Sequence, residues 1–127
     1  MNLFPGSVVD GSDDLVVVDV PELGRRVQAF SPAAPAAGAE VTIAIRPEKF
    51  SLRRDAAVAA EGLPVNGAPV IVEDFAYLGT HTTWHVRLDG GKRVTVTSPT
   101  ERADVALRSG ERAHLAWQVR DSVVLTA

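Results

Sequence analysis

The chain has no cysteine among its 127 residues. That single absence excludes a disulfide scaffold, a thiolate metal site, an iron–sulfur cluster and a cysteine nucleophile. No apolar run approaches the ~20 residues that a membrane-spanning helix needs. The N-terminus lacks a basic start, and Asp10, Asp13 and Asp14 interrupt any leader-like stretch, so no secretory signal is expected. A basic excess is missing too. Residues 1–63 carry six Lys/Arg against nine Asp/Glu, and residues 64–127 carry seven of each. With a net charge of −3 and a pI near 5.5, nothing favours a phosphate backbone, and no nucleic-acid partner is expected.

The composition is that of a globular domain, 46% hydrophobic and 23% charged. Folding a chain of this size buries roughly two-thirds of its extended surface, enough for one core. There are 19 Val but only 3 Ile, and Val suits a pleated surface better than a helix. Ten Gly and eight Pro punctuate the chain. Strands are expected over 6–9, 15–20, 25–30, 40–46, 50–52, 70–79, 81–88, 93–97, 113–119 and 123–125. Asp89-Gly90-Gly91-Lys92 reads as a hairpin turn. Ser98-Pro99-Thr100-Glu101 has the form of a capping box, predicting a short helix near 99–106. The stretch DAAVAAEG could form one helical turn inside a connector over 53–64.

The halves repeat. Gly38 to Glu48 (GAEVTIAIRPE) aligns without a gap on Gly110 to Arg120 (GERAHLAWQVR). Phe50-Ser51-Leu52 then matches Val123-Val124-Leu125 after one inserted residue. Upstream, Val18-Asp19-Val20 matches Val86-Arg87-Leu88, and Arg26-Val27 matches Arg93-Val94. Each copy holds five short strands in the order of an OB-type barrel. Neither is large enough to be stable alone. The expected fold is therefore all-β: one domain over 1–127, built from two interlocked five-stranded halves, about 4–52 and 65–125. Trp117 falls where the other copy has Ile45, and Trp84 falls near Val16, so both belong in the core.

Chemistry is sparse. There is no P-loop, GxSxG or HExxH motif, so no catalytic group and no nucleotide, metal or other cofactor site is expected. His81 and His85 share a strand face and are conceivable metal ligands, but no third ligand is evident, Asp89 being the only acidic residue in that phase, and a solvated strand face explains them better. Glu73 and Asp74 adjoin in sequence, but strand neighbours point to opposite faces, so joint acid–base work is not expected. Arg46 and Glu48 flank Pro47 at a strand end, where they fit either a local ion pair or an exposed recognition element.

Several segments occur together in order: Asn2-Leu3-Phe4-Pro5-Gly6, Ile45-Arg46-Pro47-Glu48, Tyr77-Leu78-Gly79 with Thr82, His85 to Gly91, and Val123-Val124-Leu125. In this the chain resembles the C-terminal regulatory (transport-associated OB, or TOBE) domain of ABC-transporter ATP-binding subunits, nearest the spermidine/putrescine type. It departs from that pattern at Gln118-Val119-Arg120-Asp121, where the family usually carries W-x-P-E-D. The resemblance implies a regulatory and dimerisation piece of a longer ATPase, which itself would hold ATP and Mg. Implied partners are a second copy of the subunit, the membrane permease subunits through it, and a regulatory protein or small effector. The implied location is cytoplasmic, peripheral on the inner side of the cell membrane. Arg46, Glu48 and Tyr77 are the candidate interface residues. Two other readings stand beside it: an oxyanion-binding module, as in molybdate-binding relatives of this domain, and an oligonucleotide-binding OB fold, which the acidic pI weakens.

Overall fold

A computed structural model describes residues 1–12, 14–31, 35–53, 65–99 and 107–126. Its strands are β1 (Asn2–Ser12), β2 (Leu15–Val20), β3 (Arg25–Phe30), β4 (Glu40–Ile45), β5 (Ser51–Arg53), β6 (Val65–Leu78), β7 (His81–Leu88), β8 (Arg93–Pro99), β9 (Arg112–Gln118) and β10 (Val123–Thr126). Strands β1-β2-β3-β10-β4 close into a barrel, and β5-β9-β6-β7-β8 form a second five-stranded sheet. Each half thus gives its last short strand to the other: β5 pairs with β9, and β10 pairs with β4. That exchange is the interlock.

Alternation sets the faces. Val16, Val18 and Val20 of β2 point inward, as do Val27 and Ala29 of β3. In the second half Trp84, Val86 and Leu88 of β7 do the same, with Val94 and Val96 of β8. All belong to one continuous buried cluster spanning both halves. At roughly 1.5–3 kcal/mol for each fully buried aliphatic side chain, this shared core outweighs any surface pair.

The halves match at the level of single hydrogen bonds. Val8 N–H donates to Ala39 O at 2.9 Å, and Val8 O accepts from Gly38 N–H at 2.7 Å. Val72 does the same with Glu111 and Gly110, at 2.9 and 2.7 Å. Gly38 and Gly110 have φ of 90° and 85°, which a side chain would strain. Both first strands slip register at the next residue, between Val8 and Asp10 and between Val72 and Asp74. Asn2 exchanges two hydrogen bonds with the backbone of Thr95, at 2.9 and 3.1 Å. Asn66 does so with Gln28, at 2.7 and 3.1 Å. Lys92 further ties the halves, lying 5.2 Å over the Phe4 ring and 3.0 Å from Glu22.

Two details differ from the sequence reading. The inserted residue before the last strand is not there: Ser51 pairs with Ala116 as Val123 pairs with Ala44, so Ser51, not Phe50, matches Val123. Ser98 and Pro99 continue β8 rather than cap a helix. Ser98 Oγ instead accepts the Trp84 indole N–H at 3.3 Å, which holds the pair in strand geometry. The rest of the predicted 99–106 helix, and the helical turn in 55–62, fall outside the described residues. Both tryptophans are in the core, as expected. Trp117 is 2% exposed, donates to Ser122 Oγ at 2.8 Å, and meets Phe50 edge-on at 5.4 Å.

Candidate functional site

The second half carries something the first does not. In the first half the opening hairpin ends at Ser12 opposite Leu15. The equivalent rung in the second half is Ala76 opposite Thr83, and the ladder continues through Tyr77–Thr82 and Leu78–His81. Gly79 turns it at φ 78°, in the left-handed region that glycine tolerates. Every residue over 74–81 is exposed. Tyr77 and Leu78 are 64% and 65% exposed. Phe75, paired with Trp84, stacks on it at 4.9 Å and meets Tyr77 edge-on at 5.6 Å. No Lys, Arg, Asp or Glu occurs over 75–84. The result is an uncharged, aromatic-lined tip projecting from the second sheet.

A charge cluster lies at its base. The register slip inserts Glu73 between Val72 and Asp74, so both carboxylates reach the outer face. This corrects the expectation that they diverge; the bulge cancels the alternation on which it rested. Arg93 bridges them, at 3.2 Å to Glu73 and 3.0 Å to Asp74. Arg87 binds Glu73 at 2.7 Å, and His85 Nδ1 lies 2.5 Å from Asp74 Oδ1. Arg87 and Arg93 stand directly opposite each other, a repulsive pairing that the two carboxylates offset. The hydrogen bond from His85 holds the Asp74 carboxyl below the usual carboxylate range; partial desolvation opposes this, and the charges of His85 and Arg93 reinforce it. Paired on all sides, these groups brace the hairpin rather than offer a free acid or base.

The other sequence candidates separate. His81 and His85 share a face, but four residues along a strand is about 13 Å, too far for one ion. His81 instead contacts Thr80 Oγ1 at 2.9 Å. Among the described residues no three ligating side chains gather into a metal site. Arg46 and Glu48 are both exposed at the Pro47–Lys49 turn, which packs beside β8. Among the described residues no ion pair joins them, so the local-pair reading is not what the structure contains. No hydrogen bond or ring contact links either to Tyr77. Sequence pattern alone singles out neither Phe75 and Leu78 as contact residues nor the pair Asn2 and Asn66. Carrying the repeat back to NLFPG and NGAPV would have aligned the two asparagines.

Residues 43–125 match the family described as the TOBE domain. The chain belongs to that family. This TOBE domain is 30% identical over 131 residues to the putrescine transport ATP-binding protein PotG of Escherichia coli (strain K12), covering 99% of the chain and 33% of that protein. It is 34% identical over 106 residues to the spermidine/putrescine import ATP-binding protein PotA of Rubrobacter xylanophilus, covering 80% and 26%. With PotA 1 of Pseudomonas aeruginosa it shares 41% over 92 residues, covering 70% and 23%. The chain therefore spans a third or less of the length of the curated relatives it matches. A solved structure of the cytoplasmic molybdate-binding protein ModG, with molybdate bound, has the same fold. Its TM-score is 0.83 at 20% identity, over 99% of this chain and 96% of that one. Among the described residues no helix is long and apolar enough to cross a membrane.

Proposed function

We propose that this TOBE domain is the non-catalytic regulatory and dimerisation part of an ATP-binding subunit of a polyamine-type ABC importer. The observation that carries the reading is the alignment of 99% of the chain with a third of a putrescine transport ATP-binding protein. The nucleotide chemistry, with ATP and Mg, then belongs to the rest of that subunit, and solute choice to its permease partners. The domain acts by contact. A lasting contact between two copies makes closure of the nucleotide sites nearly intramolecular. An effector that binds the open and closed dimers with different affinity then regulates transport. We assign the contact between copies to the β6–β7 tip with Tyr77 and Leu78. A patch that meets itself across a two-fold axis must not carry one sign of charge, and this one carries none.

The test uses the full-length subunit with and without this domain. Sedimentation velocity is expected to show weaker dimerisation on deletion, and ATPase activity to require a higher subunit concentration. A deletion variant that dimerises normally removes the reading. A second reading, oxyanion binding, is supported by the fold shared with ModG. Titration calorimetry of this domain with molybdate distinguishes the two: flat heats are expected, and a saturable isotherm favours the second.

A further inference from the structure

The outer surface of the closed barrel carries one apolar row that crosses all five strands. Leu15 of β2 pairs with Phe30 of β3, Phe30 with Val123 of β10, Val123 with Ala44 of β4, and Ala44 with Leu3 of β1. Directly paired residues share a face, so these side chains stand side by side. Leu125 lies on the same outer face, on the rung where Thr42 pairs with Pro5. Leu3, Leu15, Phe30, Val123 and Leu125 are each between 43% and 52% exposed. Beside them, between β1, β4 and β10, lies a depression of about 610 Å³ lined in part by Leu3, Pro5 and Leu125.

The pseudo-symmetry provides an internal control. The matching positions in the second half are Gly67 for Leu3, Thr83 for Leu15, Thr97 for Phe30, Ser51 for Val123 and Arg53 for Leu125. The same strand order therefore forms with polar or small residues at these places, in a sheet that is not closed between β5 and β8. A contiguous apolar face of this kind on one half alone marks a contact surface.

We infer that this face seats the ATP-binding part of the same polypeptide. The inference rests on the reading of the chain as one domain of a longer subunit. Both ends of the described chain lie here: Leu3 follows the first residues of β1, and Leu125 and Thr126 end β10, with β4 between. Whichever end continues, the rest of the polypeptide leaves from this face, at high effective concentration. A second copy fits poorly. A two-fold contact here would bring both copies' chain ends together, where both ATP-binding parts must emerge. The charge-free row suits a partner that stays docked, since the core of a lasting interface is depleted of charge.

The absence of cysteine allows a direct test. Phe30→Cys, Leu125→Cys and the control Thr97→Cys are made in the isolated domain and in the full-length subunit. Thiol labelling at each site is read by peptide mass spectrometry. In the isolated domain the three sites should label at similar rates. In full-length subunit diluted to monomer, Phe30→Cys and Leu125→Cys should slow by about tenfold or more, as for a docked form favoured by that ratio, while Thr97→Cys does not change. Equal rates in the full-length subunit overturn the inference. So does protection that appears in the isolated domain on concentration, which gives the face to a second copy. A gene encoding no ATP-binding part defeats the underlying reading instead, and sequencing shows that before any labelling. As a second variant, Phe30→Glu should split thermal unfolding of the full-length subunit into two transitions and leave the isolated domain's Tm unchanged.

Discussion

Asn2 and Asn66 occupy the same place in the two halves, and each clasps the third strand of the other half with both atoms of its amide. Each residue is 9% exposed. The amide supplies a donor and an acceptor in the spacing of a backbone peptide, so it acts as one rung of a missing strand.

Asn66→Ala should therefore destabilise the domain. It leaves Gln28 N–H and C=O without their partner in a part-buried site, a loss of about 2 kcal/mol. Asn2→Ala should cost a similar amount through Thr95. Urea unfolding of both single variants and the double variant checks this. Losses near zero would show that water replaces the clasp.

Gly6 should not accept its counterpart's side chain. Val70 stands at the matching position, buried. A Cβ on Gly6 would lie 2.6 Å from Asp19 O and 2.7 Å from Val18 Cγ1. Gly6→Val should cost about 3 kcal/mol or more by overpacking, seen as a lower urea midpoint. Unchanged stability would mean that β1 and β2 shift apart freely.

The Asp74 cluster gives a pH dependence of known sign. Its carboxyl is depressed in the folded state, so its contribution is present above the unfolded pKa and lost as pH falls through the folded one. The stability difference between wild type and Asp74→Asn should hold near pH 5 and shrink progressively as pH falls below the usual carboxylate range. The group is exposed, so the effect is small. A difference that stays constant across that range would mean the His85 contact does not form in solution.

Leu78→Glu should weaken self-association without touching the fold. Leu78 is 65% exposed, so Tm should move little, whereas a charge in a two-fold patch faces its own copy. Sedimentation equilibrium over a concentration series should show at least about a tenfold weaker dimer, equivalent to ~1.4 kcal/mol. An unchanged dimer constant moves the contact away from this tip.

Much of the architecture could be read from alternation alone. The spans 15–20, 25–30 and 81–88 match strands β2, β3 and β7, because apolar residues two apart (Val16, Val18 and Val20; Val27 and Ala29; Trp84, Val86 and Leu88) leave one answer for the buried face. The gap-free match from Gly38 to Glu48 holds down to paired turns and hydrogen bonds. What escaped was set by backbone events that side-chain pattern does not record. The bulge at Glu73 overrode the period that separated it from Asp74. Ser98-Pro99 carried a helix-start signature, but pairing with β7 decided its conformation. Of the three candidate contact residues, Tyr77 lies on the projecting tip, while Arg46 and Glu48 sit at a turn beside β8. The added hairpin rungs are visible only once the two halves are superposed residue by residue.

The strand exchange also sets an order of events during synthesis. β10 sits between β3 and β4, both of which are complete by residue 45. The first barrel must therefore wait with an open seam while the whole second half is made. On the ribosome, the early strands expose Val and Ile edges until Val123 to Thr126 emerge and fill the gap. Such long-range closure is slow, and a nascent chain stalled before that strand is a target for edge-to-edge aggregation.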